Sequence, residues 1–480
     1  MPLALGLLLL AFEACAEPPR PPEPKRPPIL LITFEGLRAD AVGALGGEPG
    51  LTPHLDRLIG EADWAGRGVA PSSWTVPAAA SLLTGLPPWK HQALTFDQPR
   101  LASELITLPE ALAPLGYDTA AFVTGHWISA QFGFQQGFEL FEPMRRGGRA
   151  QGYLEALRGD PVLVWIHFKD PSPPWTRRDW ALPGEPPGRL PQRLGRVDLE
   201  RYLDPEIPVP AGMVEASRLL YRQNVAWADE RLGRLLASLE GSGHAEETLI
   251  AVAATHGQEL GEHGRGGDGT SLARPLLEVP LVVRLPAGFS RPVAVPAGRR
   301  LATARLWATL VEAAGGEPPP AVAPSLFAAG AQPVLSELYQ VGGTNRFSLV
   351  DGDRQLLWQA RFAPPESEYY LARQQLLGDP PDPPLDAPRQ LLERLGEAFR
   401  SARPVSGRGA DGAGGAAPEL TLLEWRADGG TVVVDEPAAS REMAVELERR
   451  WAAFVDDEPP VRQMARRWPS EGVRRGDGGS

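Results

Sequence analysis

The sequence predicts an α/β fold, a three-layer and mostly parallel sheet followed by a small C-terminal antiparallel α+β part. Three observations predict it: short continuous runs of β-forming apolar residues recur, helical patterns alternate with them, and the texture changes to a meander near Ala331. A run with no polar alternation suits a strand covered by helices on both faces.

In chain order, residues 1–16, "MPLALGLLLLAFEACA", read as a signal peptide, because the apolar run has the length of a signal core and is too short to cross a bilayer as a stable helix. Two processing readings stay open. "ACA" before Glu17 fits a small-residue cleavage site, while Cys15, the single cysteine, sits where a lipoprotein would be cleaved and lipidated; the second is preferred. Glu13 and the absence of Lys or Arg before the run weigh against both. Export to the cell envelope is the expectation. With one cysteine there is no intrachain disulfide, so packing must supply stability.

Residues 17–28, with "EPPRPPEPKRPP", form a proline-rich tether. The α/β domain is placed at residues 29–330. Its strand candidates are "ILLITFEGL", "TAAFVTG", "PVLVWIHF", "TLIAVAATHG" and "VPLVVRLP", and its helices include "TLPEALAPLG" and the amphipathic stretch Leu219 to Glu240. In such sheets ligands bind beyond the carboxyl ends of the strands, which directs attention to Phe34 to Leu37, His167 to Ser172 and Thr255 to Gly257. Residues 331–400 read as a small sheet with a turn at Asp351 to Asp353, then a helix "RQLLERLGEAFRSA". Residues 401–418 are a glycine-rich linker, and 419–480 a tail with a short strand and a helix.

Of the 480 residues, 43% are hydrophobic and 22% charged, the composition of a folded globular chain. The formal charge of -12 gives no basic surplus to neutralise phosphates, so no nucleic-acid partner is expected. Lysine occurs three times, at Lys25, Lys90 and Lys169. Both body lysines fall in segments assigned to the ligand-binding face.

The motifs together resemble the sulfatase family of the alkaline phosphatase superfamily. "PILLITFEGLRAD" is similar to its opening strand and metal loop, and "LTPHLDRLIGEA" with "PSSWTVPAAASLLTGLPPWKH" to its nucleophile region. "LPEALAPLGYDTAAFVTGHW" and "YRQNVAWADERLGRLLASLE" leading to "TLIAVAATHGQELGEHG" follow in the family's order, across roughly residues 28 to 290. The resemblance implies the alkaline phosphatase type of three-layer fold and a site where a hard divalent cation, held mainly by carboxylates, activates a nucleophile against a sulfate or phosphate ester.

Laid onto that pattern, Thr75 takes the nucleophile position and Pro77 keeps the motif's proline. A threonine cannot become formylglycine, and it needs a metal or an adjacent base to ionise near neutral pH. Ala79 stands for the motif's arginine. Glu35 and His256 stand at metal positions, while Gly36 and Thr255 replace expected ligands and Ser172 replaces a histidine. Residual zinc or calcium is conceivable on this ligand set, with three protein ligands enough for zinc and too few for calcium. For Lys90 and Lys169 two roles compete: binding of a substrate anion, or an ammonium pairing with Glu35 in place of a metal. Asp56 and Asp229 read as solvated helix charges, and His126 and His167 as core histidines. The functional expectation is an exported family member with an eroded site that binds an anionic envelope component. The alternative is an active metal-dependent sulfate- or phosphoester hydrolase or transferase using Thr75.

Overall fold

Strand β1 (Ile29–Glu35) is buried along its whole length and lies between parallel neighbours on both sides, as its unbroken apolar run requires. The structure, a computed structural model, describes residues 26–94, 99–144, 148–176, 193–194, 211–264, 266–290, 293–295, 299–330, 332–339, 344–361, 403–404, 419–425, 431–434, 443 and 445–446. Cys15 and the signal segment lie outside them. So do most of the tether, the helix expected at "RQLLERLGEAFRSA", the glycine-rich linker apart from Arg403 and Pro404, and most of the tail.

Seven further strands complete the main sheet: β2 (Trp64–Val69), β3 (Asp118–Val123), β4 (Leu140–Pro143), β5 (Val162–Pro171), β6 (Leu249–Ala254), β7 (Glu278–Arg284) and β8 (Leu301–Ala302). Their order is β8-β2-β7-β6-β1-β5-β3-β4. The sheet is parallel except at β7, which runs antiparallel to both β6 and β2. The run "VPLVVRLP" thus forms a strand as its pattern predicts but reverses direction. It follows β6 after a short two-stranded hairpin and one helical turn, with no long helix to carry the chain back across the sheet face.

Two cores follow from the period-two alternation along the strands. On one face Ile29, Leu31 and Trp165 pack with Val76, Ala79 and Leu83 of helix α2 (Thr75–Thr84). On the other, Leu30, Ile32, Phe34 and Ile166 pack with Leu220, Tyr221, Val225 and Leu232 of the long helix Ala211–Gly241. That helix carries Asp229, which is buried rather than solvated. Its carboxylate accepts hydrogen bonds from the backbone N–H groups of His54 and Leu55, in the first turn of helix α1 (Pro53–Glu61). Asp56 likewise turns inward, accepting from the Thr52 hydroxyl and the Ala44 N–H.

The C-terminal sheet contains β9 (Val334–Leu338), β10 (Thr344–Asp351), β11 (Arg354–Arg361), β12 (Arg403–Pro404), β13 (Glu419–Trp425) and β14 (Thr431–Val433). Its order is β9-β10-β11-β13-β12, with β14 on β13, and the β10–β11 hairpin turns at the predicted place. Strand β9 docks directly on the loop before α2. Ser336 Oγ donates to the Ala70 carbonyl (2.7 Å), the Glu337 N–H to Pro71 (2.9 Å), and Ser72 Oγ to the Glu337 carbonyl (2.6 Å). A second junction gathers Arg67, Arg274 and Arg300 on the buried carboxylate of Glu278, while Arg274 and Arg300 lie over the Trp425 ring.

Candidate active site

Thr75 opens α2. Trp74 before it is extended (φ -146, ψ 167), so the chain turns into the helix at Thr75, and Pro77 in the first turn lacks an N–H that would go unused there. The helix is buried on every side, which an alanine-rich stretch allows because the sheet and neighbouring helices can approach closely.

His256 stands just beyond the end of β6 and is fully buried. Its Nδ1 lies 2.7 Å from the Gly257 carbonyl, which can only accept, so Nδ1 carries a proton. In the neutral ring Nε2 is then the bare nitrogen, and it lies 3.2 Å from Thr75 Oγ1. The Thr75 hydroxyl is thereby placed to donate to His256, a hydroxyl beside a base whose ring is oriented by a third group.

Glu35 ends β1 at an irregularity in its pairing with β5. Beside it a chain of contacts runs through the sheet. The Trp165 indole N–H donates to Thr33 Oγ1 (2.9 Å), whose hydroxyl meets His167 Nδ1 (2.9 Å), leaving His167 Nε2 to face Glu35 Oε2 at 3.6 Å. Burial alone would raise the Glu35 pKa. The facing His167 and the Lys169 charge, joined by His256 when its ring is protonated, outweigh it and hold the carboxyl below its usual range.

Asp268 joins this group from the glycine-rich turn after His256, where the Gly269 N–H bonds to the Ser73 carbonyl (2.9 Å). Burial first, then the Glu35 charge, push the Asp268 pKa up against the opposing influence of His256, Lys169 and the Ser172 hydroxyl. Lys169, half-buried at the end of β5, directs its ammonium to the carbonyl of Pro173 and, at 3.2 Å, to that of Ser172. Its backbone N–H is fixed by Thr124 Oγ1 (2.7 Å). Lys90 is placed differently: its ammonium lies 5.1 Å from the Trp89 ring centroid.

The model of the family described as Sulfatase matches residues 27–145 and 148–316, more than half of the chain. The chain belongs to the sulfatase family. Among curated sequences it is 23% identical over 379 residues to N-acetylglucosamine-6-O-sulfatase of Bacteroides thetaiotaomicron, covering 59% of this chain and 67% of that one. It is 25% identical over 387 residues to the multifunctional alkaline phosphatase superfamily protein PehA of Trinickia caryophylli, covering 61% and 74%. Two solved structures share the fold. One is a 2-O GAG sulfatase (TM-score 0.56, 17% identity, 82% of this chain and 99% of that one). The other is the phosphonate monoester hydrolase of Agrobacterium radiobacter (TM-score 0.53, 19% identity, 70% and 88%).

The donor set differs from the one that the sequence resemblance implies. Gly36 adopts φ +82, and a Cβ there would stand 3.1 Å from Ser172 Cα and 3.2 Å from Ser172 Cβ and N, so no ligand side chain fits at that position. Thr255 Oγ1 turns away to the Phe34 carbonyl (3.3 Å). Among the described residues no group of three or more His, Cys, Asp or Glu side chains is arranged to hold a metal ion. A hard cation wants about six to eight oxygens, and the residues present do not fit one. The motif pointed to Thr75, Glu35 and His256, and rarity to Lys90 and Lys169; Thr75 meets His256, Lys169 acts on Glu35, and Lys90 lies against Trp89 instead. Asp268 and His167 were missed as members of the group. "GGDG" reads as an ordinary turn, and His167 as one of the core histidines. It is indeed buried, whereas His126 is exposed and edge-on to Trp127 and Phe132.

Proposed function

We propose that this sulfatase-family chain is a hydrolase or transferase of anionic esters in which Thr75 is the nucleophile and His256 its general base. The observation that carries this reading is the Thr75 Oγ1 to His256 Nε2 approach of 3.2 Å, with His256 Nδ1 held on Gly257. In the first step Thr75 Oγ bonds to the sulfur or phosphorus as the ester oxygen departs. The hydroxyl proton passes to His256 Nε2 and then to the leaving alkoxide. Water, activated by the same imidazole, then releases the inorganic anion and restores the threonine. The N–H groups at the start of α2 favour negative charge beside Thr75.

A sulfated or phosphorylated saccharide is the proposed substrate class, supported by relatives named for N-acetylglucosamine-6-O-sulfatase and 2-O GAG sulfatase activity. Export by residues 1–16, with lipidation at Cys15, would put the reaction at the cell envelope. A second reading is a catalytically impaired binder of an anionic envelope component. It is favoured by Glu35, whose carboxyl is held below its usual range and so adds negative charge where electrostatic catalysis needs positive.

The test is turnover of aryl sulfate, aryl phosphate, a phosphodiester and N-acetylglucosamine 6-sulfate. For the preferred substrate, Thr75→Ala and His256→Gln should each lower kcat by roughly 10²- to 10⁴-fold. Undiminished turnover in Thr75→Ala would sink the nucleophile. Saturable binding of the sulfated sugar without any turnover would leave the impaired binder.

A further inference from the structure

We infer that the ammonium of Lys169 is the resident cation of this site, filling an oxygen-rich cluster of the kind that elsewhere holds a hard divalent ion and so closing the site to metals. The cluster has two parts. The carbonyls of Ser172 and Pro173 receive the ammonium directly. The Glu35 carboxylate is buried and that of Asp268 half-buried in the same region, each beyond direct ion-pair distance of the ammonium, and the Lys169 charge acts on both. A Cβ built on Gly125 would stand 3.5 Å from Glu35 Oε2 and 3.6 Å from Lys169 Cβ, so the lysine stem and the carboxylate share one wall of the pocket.

The chemistry favours lysine there. A hard cation needs about six to eight oxygens at short range, whereas an ammonium has three donors and is satisfied by fewer acceptors. Removing a carboxylate from water without a counter-charge costs several kcal/mol, and two such groups make an uncompensated pocket worse. The lysine is also fixed in place, because Thr124 Oγ1 accepts its backbone N–H while donating to the His167 carbonyl (3.1 Å). Ser172 also closes over Gly36, 3.1 Å from where a Cβ would stand. The side of the cluster where another ligand could enter is thus already packed.

This inference does not depend on Thr75 being a nucleophile, and its readouts are metal content and thermal shift rather than turnover. The intact protein is purified without chelator, dialysed against calcium, manganese or zinc, and analysed for metal, then melted with and without each ion. Wild type should hold no stoichiometric metal and show no change in Tm. Lys169→Ala should melt lower and regain roughly 3 °C at a hundredfold excess of an ion over its Kd. Lys169→Arg, which keeps a cation, should fold and remain insensitive to the ions. One equivalent of bound metal in wild type overturns the inference whether or not the variants fold. So does a folded Lys169→Ala with the wild-type Tm and no response to any ion.

Discussion

Ser172 is packed onto Gly36 so closely that its Cα lies 3.1 Å from where a Gly36 Cβ would stand. Gly36 meets this with a left-handed backbone (φ +82) and no side chain. Restoring a carboxylate by Gly36→Asp should therefore not rebuild a metal site. The left-handed conformation costs about 1–2 kcal/mol for an ordinary residue and the overpacking about 1–3 kcal/mol. A loss of roughly 2–5 kcal/mol on chemical denaturation is expected, and a variant as stable as wild type would contradict the packing.

Glu337 ties the C-terminal sheet to the segment after α2 through a carboxyl that accepts from Tyr339 OH (2.7 Å) and the Trp89 N–H (3.1 Å). Burial outweighs these bonds and pushes its pKa from 4.5 up to about 8. Between those values the unfolded chain has lost a proton that the folded one retains, so stability falls as pH rises from 4.5 towards 8 and levels off above it. Glu337→Gln, which cannot ionise, should remove this part of the pH dependence. The check is the difference in unfolding free energy between the two proteins, which should move in favour of Gln as pH rises across that interval.

Asp229 terminates two first-turn N–H groups of α1 from a different helix. Asp229→Ala should cost about 1–2 kcal/mol, the usual effect of losing a helix cap, while Asp229→Asn, which keeps one acceptor, should cost less. Equal losses in the two variants would mean that the capping oxygens are not what matters. Hydrogen exchange at His54 and Leu55 should rise in the alanine variant.

Glu278 is the shared partner of Arg67, Arg274 and Arg300 and is 4% exposed. Glu278→Gln leaves these guanidinium groups without their common carboxylate, and removal of one member of a buried charge network costs about 3–5 kcal/mol. Because Arg274 and Arg300 also cover Trp425, the same variant should alter tryptophan fluorescence before global unfolding.

Much of the fold was legible because the central strands are apolar on both faces, and that pattern survives whatever their neighbours are. Strand β2 was not legible. It reads "WAGRGV", and its glycines are there for contact reasons: a Cβ on Gly68 would stand 3.0 Å from Leu281 Cβ and 3.1 Å from Thr303 Cγ2. Within the site, Thr75 and His256 could be placed by motif, but their hydrogen bond joins residues 181 apart. The Thr33–His167 contact spans 134 residues, and Asp268 enters only because its turn folds back onto Ser73. Local pattern carries no record of such distances. Asp229 misled for the opposite reason, since an acid on a long amphipathic helix looks solvated until the neighbouring helix end is known.

The bond from Ser72 to Glu337 crosses 265 positions of the chain. A contact of such long range forms late, because loop closure must come before it adds stability, and the α/β part emerges first during synthesis. The segment that presents Thr75 is thus assembled in two stages: the main sheet sets its position, and strand β9 locks it. Until the last third of the polypeptide has folded, the threonine rests on an unfinished support.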